Sequence, residues 1–127
     1  MGRRILVIDD NSINRCVVEK QLSAAGMRAA LVSDVDQGLA LLGAAAGGHD
    51  PFEAVVVDHM MPNRDGLDLA PSIRMQPNLT GKKLLLCSSS GLVGEATNAQ
   101  ALGFDSYLTK PVGQSALIAQ LARFFPD

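Results

Sequence analysis

The chain has 127 residues, of which 47% are apolar, and a formal net charge of −2. This length suits one domain, residues 1–127, whose core needs no disulfide or metal, and the balanced charge excludes the basic surface of a direct nucleic-acid binder. No segment approaches the roughly 20 apolar residues of a membrane helix, and the chain does not begin like a secretory signal. We therefore expect a cytoplasmic domain in which Cys16 and Cys87 are reduced core thiols.

Short apolar runs alternate with amphipathic segments along the chain. The runs are too short for ordinary helices and are rich in valine, isoleucine and leucine, which is typical of strands buried on both faces of a parallel sheet. Five such strands alternating with five helices predict an α/β domain, a doubly wound parallel sheet with helices on both faces. The predicted strands cover residues 5–8, 28–33, 54–57, 83–87 and 105–109.

Capping and stop residues mark the boundaries of the first two predicted helices. Asn11 and Ser12 offer side-chain oxygens that can cap the first helix, and Gly26 is suited to end it. Asp34 can cap the second helix in the same way. That helix is expected to fade in the alanine- and glycine-rich segment at 43–50, which is the loosest part of the chain.

The last three helices are predicted from apolar residues at helical spacing. The third follows Gly66 and contains Pro71, which would delete a backbone hydrogen bond or kink the helix. Gly103 is suited to close the fourth helix. The expected apolar residues are Leu67, Leu69, Ile73 and Met75 in the third helix, Val93, Ala96, Thr97, Ala101 and Leu102 in the fourth, and Leu117, Ile118, Leu121, Phe124 and Phe125 in the fifth.

Polar side chains stand where four of the predicted strands end: Asp9 and Asp10, then Asp58, Ser88 and Lys110. The carboxyl ends of parallel strands lie at one edge of a sheet, where ligands bind in open α/β folds. Clustered carboxylates repel one another unless a cation holds them, and Mg²⁺ prefers oxygen ligands. A carboxylate nucleophile, a metal site, a lysine and a hydroxyl are the groups that phosphoryl transfer requires.

Four segments together resemble the receiver domain of two-component response regulators: ILVIDDN, VVVDHMMPNRDG, LLLCSSSG and YLTKPV. The resemblance covers nearly the whole chain, and the spacing of Asp58 and Ser88 to Lys110 is that of the family. It implies a flavodoxin-like fold with the strand order 2-1-3-4-5. The first and third segments are more similar to the receivers of hybrid histidine kinases than to those of transcription factors.

The resemblance implies a role for each acidic residue. Asp58 would accept a phosphoryl group from a histidine kinase or a histidine phosphotransfer protein. Asp10 and Asp58 would bind Mg²⁺ directly, together with the backbone carbonyl of Met60, and Asp9 would bind it through water. The charge and the lack of a membrane helix predict no direct contact with nucleic acid or membrane, and a homodimer could form on phosphorylation.

The same resemblance implies which residues bind the phosphoryl oxygens and which change position on phosphorylation. Ser88 and Lys110 would bind those oxygens, and the peptide bond between Lys110 and Pro111 would be cis, as in the family. Tyr107 falls at the position of the family's aromatic switch. We expect Ser88 to move toward the phosphoryl group and Tyr107 to turn inward in response.

Two other functions are compatible with the acidic residues. An aspartyl-phosphate phosphatase on a related sheet would need a second acid two residues after the nucleophile, where this chain has Met60. A receiver that is never phosphorylated could serve as a docking module, although the complete acidic set disfavours it. His59 could be a base or a metal ligand, but adjacent residues of an extended segment point opposite ways, which favours a solvent-facing side chain. The favoured function is a phosphoacceptor switch that only phosphorylates and dephosphorylates itself, and is not an enzyme acting on a separate substrate.

Overall fold

The computed structural model describes residues 4–46, 52–58, 69–75, 83–88, 95–109 and 114–124. Five strands and five helices alternate in this part of the chain. The strands are β1 (Arg4–Ile8), β2 (Arg28–Val32), β3 (Ala54–Asp58), β4 (Lys83–Ser88) and β5 (Ser106–Thr109). The helices are α1 (Ser12–Ala24), α2 (Val35–Ala46), α3 (Leu69–Arg74), α4 (Glu95–Leu102) and α5 (Gln114–Phe124).

The strands form one sheet in the order β2-β1-β3-β4-β5, and every neighbouring pair is parallel. The predicted fold class and strand order are therefore confirmed. β3 lies at the centre of the sheet, and all five of its residues are buried. None of the helices in the described part of the chain is long and apolar enough to cross a membrane.

The core consists of two layers, because successive side chains of a strand point to opposite faces of the sheet. Val55 and Val57 belong to the layer that includes buried residues of α2, α3 and α4, called here the α3/α4 face. Ala54 and Val56 belong to the layer that includes buried residues of α1 and α5, called here the α1/α5 face. The helices thus cover the sheet on both sides, as a buried parallel sheet requires.

The predicted boundaries of α1 are confirmed by its caps. The side-chain oxygen of Asn11 accepts hydrogen bonds from the backbone N–H groups of Ile13, at 2.9 Å, and Asn14, at 3.1 Å. At the other end Gly26 has a φ of 84°, a conformation that suits glycine best. Both ends of α1 are therefore determined by local chemistry, which fixes where the helix begins relative to β1.

The expectation for α3 was wrong in one respect. The described part of the helix spans Leu69–Arg74 and includes Pro71, which is exposed. The residues before Leu69 lie outside the described part of the chain, so the effect of Pro71 on the start of the helix stays a prediction. Met75, expected on the apolar face, follows the end of the helix and is 83% exposed. Leu67 lies outside the described residues.

The apolar face of α4 also differs from the expected one. Among the α4 residues whose burial is described, Thr97 and Ala101 are exposed and Ala99, which the helical spacing had not singled out, is buried. Leu102 packs against the core, as expected. Gly103 closes the helix with a φ of 115°, as expected. In α5 the buried residues include Leu117, which agrees with prediction. Phe125 and Val93 lie outside the described residues.

α2 extends to Ala46 and so includes the first four residues of segment 43–50, which was expected to be loose. The helix contains two glycines in very different surroundings. A Cβ on Gly38 would overlap Cδ1 of Ile8 and lie 3.1 Å from its Cγ1. Ile8 is fully buried, so its side chain has little freedom to move away. A Cβ on Gly43 would meet nothing within 4 Å. Glycine at position 38 therefore allows α2 to pack closely on β1.

These two glycines make a matched pair for a stability measurement. We expect Gly38→Ala to lower the free energy of unfolding by about 1–2 kcal/mol, because the overpacking cost exceeds the gain in helix propensity. We expect Gly43→Ala to raise it by up to about 1 kcal/mol, since only the propensity changes. Urea denaturation of both variants measures the difference. Equal effects of the two substitutions would contradict the close packing of α2 on β1.

Candidate functional site

Three carboxylates meet at the carboxyl edge of the sheet. β1 and β3 are neighbours, and Ile8 is paired with Val57, so Asp9 and Asp58 follow at equivalent positions. One carboxylate oxygen from each of Asp9, Asp10 and Asp58 lies within 4.8 Å of the others. Asp9 is 6% exposed and Asp58 is 8% exposed, whereas Asp10 is open to solvent. The fold therefore brings together the three acids that the sequence placed at strand ends.

The turn between β1 and α1 is held by hydrogen bonds to Asp9. The backbone N–H of Asn11 donates to Asp9 Oδ1 at 2.9 Å. The guanidinium of Arg15 donates from Nη1 to the backbone carbonyl of Asp9 at 2.5 Å. Because the Asn11 side chain also caps α1, the acidic turn and the start of the helix form one hydrogen-bonded unit. Asp9 is thus fixed before any cation arrives.

The donor set fits a hard divalent cation. Three carboxylates supply only oxygen atoms, with two residues buried and one reachable from solvent, and like charges this close favour a cation between them. Mg²⁺ usually keeps several water ligands and takes one or two carboxylates directly. Exposed Asp10 at the rim is compatible with such a partly hydrated ion. Met60, whose carbonyl the family resemblance adds to this set, lies outside the described residues.

Ser88 ends β4 and is fully buried. Asp58 is paired with Cys87, so Ser88 lies one residue further along the neighbouring strand. The alternation of β4 puts Ser88 on the α3/α4 face, the face to which Leu86 contributes. Asp58 and Cys87 lie instead on the α1/α5 face, where both line the same cavity.

Tyr107 packs against the α3/α4 face, and it is half-buried. It is paired with Leu86, so Tyr107 and Ser88 are diagonal neighbours on the same side of the sheet. A cavity of about 250 Å³ adjoins the ring; its lining residues are Ala99, Gln100, Phe104, Asp105, Ser106 and Tyr107. The predicted switch residues are therefore close together, and there is space beside the aromatic ring.

Several sequence-predicted residues cannot be placed. Lys110, Pro111 and His59 lie outside the described residues, and their roles remain predictions. Conversely, the structure adds Arg15, which the sequence analysis did not single out. Its position four residues after the cap Asn11 puts it one helical turn from the acidic pair, and this spacing is the signal that could have identified it.

An apolar patch lies on the exposed side of α1, beside the acids. Ile13 is 73% exposed and Val17 is 48% exposed. Cys16 lies between them and is also exposed, which corrects the expectation that it is a core thiol; Cys87 is buried as expected. Helical residues three and four apart share a face, so Ile13, Cys16 and Val17 form one continuous surface.

Comparisons with known proteins agree with this geometry. The profile of the response regulator receiver domain matches residues 5–122. Histidine kinase 2 of Arabidopsis thaliana is 31% identical over 97% of this chain and 12% of its own length. The sensory/regulatory protein RpfC of Xanthomonas campestris pv. campestris is 33% identical over 94% of this chain and 16% of its own length. The response regulator MprA of Mycolicibacterium vanbaalenii is 34% identical over the whole chain and 54% of its own length. The chain thus spans from about a tenth to about half of the length of these curated relatives.

Solved structures of receiver proteins have the same fold as this chain. The receiver domain of the sensor histidine kinase PA1611 from Pseudomonas aeruginosa is 28% identical, with a TM-score of 0.83 and complete coverage of both chains. Its structure holds a magnesium ion in the active-site cleft. The chemotaxis response regulator CheY4 of Vibrio cholerae is 23% identical, with a TM-score of 0.87 over 98% of this chain and all of its own, which shows the shared fold.

Proposed function

Because this chain belongs to the response regulator receiver domain family of two-component signalling, we propose that it is a phosphoacceptor switch that takes a phosphoryl group onto Asp58. The observation that carries the proposal is the group of three carboxylates within 4.8 Å of one another at the carboxyl edge of the sheet. Asp58 ends the central strand, all five residues of which are buried, so its carboxylate is held at the end of a fully packed strand. The hybrid-kinase relatives support a histidine kinase or a histidine phosphotransfer protein as the donor.

The proposed reaction is a phosphoryl transfer between side chains. A carboxylate oxygen of Asp58 forms a bond to phosphorus while the bond from phosphorus to the donor's imidazole nitrogen breaks, and the nitrogen keeps that electron pair. Asp10, Asp58 and the carbonyl of Met60 would hold Mg²⁺, with Asp9 contacting it through water. The ion would offset the repulsion between the nucleophile and the incoming oxygens. Asn11 and Arg15 keep the turn in place meanwhile.

Ser88 and Lys110 complete the proposed site. The Ser88 hydroxyl can donate to one phosphoryl oxygen, and the Lys110 ammonium can neutralise another. Ser88 is fully buried at the end of β4, one residue beyond Cys87, which is paired with Asp58. This position next to Asp58 supports the assignment, as does the family's spacing of Asp58, Ser88 and Lys110.

Residues 1–127 would then form one cytoplasmic receiver that turns over no separate substrate. A phosphatase remains the enzymatic alternative, and the acid it would need two residues after Asp58 is replaced by Met60. A docking receiver that is never phosphorylated is the second alternative. Assembly into a homodimer would be a consequence of phosphorylation and not a requirement for it.

The first prediction concerns Asp58 itself. Incubation with Mg²⁺ and acetyl phosphate should add one phosphoryl group to the wild-type chain, and intact mass spectrometry detects the adduct. Asp58→Asn should abolish the adduct, because the amide is a poor nucleophile, while circular dichroism shows an unchanged fold. Removal of Mg²⁺ with EDTA should also prevent labelling. Asp36→Asn, which neutralises an exposed acid on α2, serves as the control and should label normally. A phosphoryl group on Asp58→Asn would overturn the assignment.

The second prediction concerns the donor protein. The exposed patch of Ile13, Cys16 and Val17 adjoins the acidic site, so a helical partner that delivers phosphate to Asp58 would cover it. Ile13→Asp should slow transfer from a phosphorylated histidine phosphotransfer protein by about tenfold or more, the size of an interface hot spot. Labelling by acetyl phosphate should not change. Met75→Asp is the matched control, since Met75 is equally apolar and exposed but follows α3 on the opposite face.

The third prediction concerns the output. A phosphoryl group brings about −1.5 to −2 charges and three acceptor oxygens, enough to draw the Ser88 hydroxyl toward it. Movement of Ser88 would leave space on the α3/α4 face, and Tyr107, its diagonal neighbour, could fill that space. The ring would then leave its place beside the 250 Å³ cavity and remodel the surface formed by α4, β5 and α5.

Tyrosine ring NMR signals test this coupling. Tyr107 is the only tyrosine in the chain, so its signals need no assignment. Beryllofluoride, a mimic of the acyl phosphate, should shift them in the wild type. Ser88→Ala should reduce the shift strongly, because the coupling hydroxyl is gone. Ring signals that do not change when beryllofluoride is added, or that shift equally in Ser88→Ala, would show that Tyr107 is an ordinary half-buried aromatic.

A further inference from the structure

The peptide unit that joins Asp9 to Asp10 is held from α1. Arg15 Nη1 donates to the backbone carbonyl of Asp9 at 2.5 Å. A peptide unit is planar from the Cα of one residue to the Cα of the next, so a donor that fixes the Asp9 carbonyl also fixes the direction in which Asp10 follows it. Asp10 is exposed, so packing does little to orient it. The hydrogen bond from Arg15 is therefore placed to determine where the Asp10 carboxylate lies.

The peptide unit on the other side of Asp9 is held by the sheet. The backbone N–H of Asp9 donates to the carbonyl of Val32 at 3.1 Å. β2 ends at Val32, and the Asp9 carbonyl accepts from Arg15 of α1. The sheet thus fixes the amino side of Asp9, and α1 fixes its carboxyl side. Loss of the Arg15 side chain would release the second of these two peptide units and leave the first in place.

The start of α1 determines where the guanidinium of Arg15 lies. The backbone N–H of Arg15 donates to the carbonyl of Asn11 at 3.0 Å, so Arg15 lies one turn after the cap. Side chains of a helix lean toward its amino end, which brings this half-buried guanidinium back over the cap to Asp9. A charged donor forms a stronger hydrogen bond than a neutral one, and the planar guanidinium loses little freedom in forming it.

The position of Asp10 matters more for Mg²⁺ than for a larger cation. Mg²⁺ requires nearly ideal octahedral geometry with short bonds, whereas Ca²⁺ accepts longer bonds and a more variable geometry. A displaced carboxylate therefore weakens Mg²⁺ binding more than Ca²⁺ binding. The charge of Arg15 acts differently, because a cation near the three carboxylates opposes the binding of both divalent ions to a similar extent. The ratio of the two affinities thus separates the effect of position from the effect of charge.

We propose that Arg15 is a positioning residue that makes the acidic site prefer Mg²⁺ to Ca²⁺. It acts by fixing the peptide unit between Asp9 and Asp10 and does not contact the ion. This role rests on the proposed binding of Mg²⁺ by Asp10 and Asp58, and it adds a residue of α1 that determines which divalent ion the site selects.

Three variants test this role in NMR titrations with Mg²⁺ and with Ca²⁺. Arg15→Met removes the donor and the charge but keeps an unbranched side chain of similar helix propensity. It should lower the ratio of Mg²⁺ affinity to Ca²⁺ affinity by about tenfold, the lower end of the effect of losing an outer-shell partner. Arg15→Lys keeps the charge and a donor and should restore part of the ratio. Lys20→Met is the control, since it removes an exposed positive charge about 7 Å further along α1, and it should leave the ratio unchanged.

Amide hydrogen exchange of the metal-free protein gives a second readout. The N–H of Asp9 donates to Val32, and the N–H of Asn11 donates to Asp9 Oδ1. Both amides should exchange faster in Arg15→Met than in the wild type, because the peptide unit between them is released. Exchange at Val56, in the buried strand β3, should not change, since it reports the stability of the whole domain.

Three results would overturn the proposal. The first is an unchanged affinity ratio in Arg15→Met, and the second is an equal loss in Lys20→Met, which would attribute the effect to charge. The third is exchange that becomes faster at Val56 as much as at Asp9 and Asn11, which would mean general destabilisation. In each case the wild type would still bind Mg²⁺. A wild type that binds no Mg²⁺ would overturn the proposed metal site itself, and the role of Arg15 with it.

Discussion

Repulsion among the carboxylates of Asp9, Asp10 and Asp58 is the constraint to which the rest of the domain is adapted. Charges 4.8 Å apart repel by about 3–4 kcal/mol per pair at an effective dielectric constant of roughly 20. The hydrogen bond from the Asn11 N–H to Asp9 Oδ1 offsets part of this repulsion. The covered parallel sheet holds the acids together against the remainder, because two packed layers keep β1 and β3 in register up to the acids. The repulsion therefore becomes an affinity for a cation instead of a distortion of the strand ends.

In the proposed function, the sheet would separate the phosphoacceptor from the residues that respond to it. Asp58 lies on the α1/α5 face, beside the exposed patch of α1, while Ser88 and Tyr107 lie on the α3/α4 face. One residue of register along β4, from Cys87 to Ser88, is enough to change the face. A phosphoryl group on Asp58 would lie at the edge where the two faces meet. In the proposed switch, the alternation of side chains along β4 would therefore link the donor side to the opposite surface.

The sequence predicted the elements of the fold and the gathering of the acids, because both follow from short-range signals and from one rule of parallel sheets. The sequence-based prediction failed where packing between elements decides whether a side chain is exposed. Cys16 has apolar neighbours in the sequence but faces solvent, and Met75 lies beyond the end of α3. The cavity that Asp58 and Cys87 line could not be predicted, because its existence depends on how the side chains of five elements pack against one another.

The end of the sheet away from the acids is fixed by a polar brace. Arg74 Nη2 donates to the carbonyl of Gly103 at 2.6 Å and to Asp105 Oδ2 at 3.1 Å, and the same Asp105 oxygen accepts from the backbone N–H of Leu84 at 2.8 Å. This brace ties α3 to the turn before β5 and to the start of β4. An exposed ion pair adds little stability, but hydrogen bonds to backbone groups restrict geometry. Tyr107 lies two residues beyond the brace, so β5 is anchored at its beginning. In the proposed switch, this brace would hold the beginnings of β4 and β5, so the response to phosphorylation would involve Ser88 at the carboxyl end of β4 and the ring of Tyr107 and not the starts of the strands.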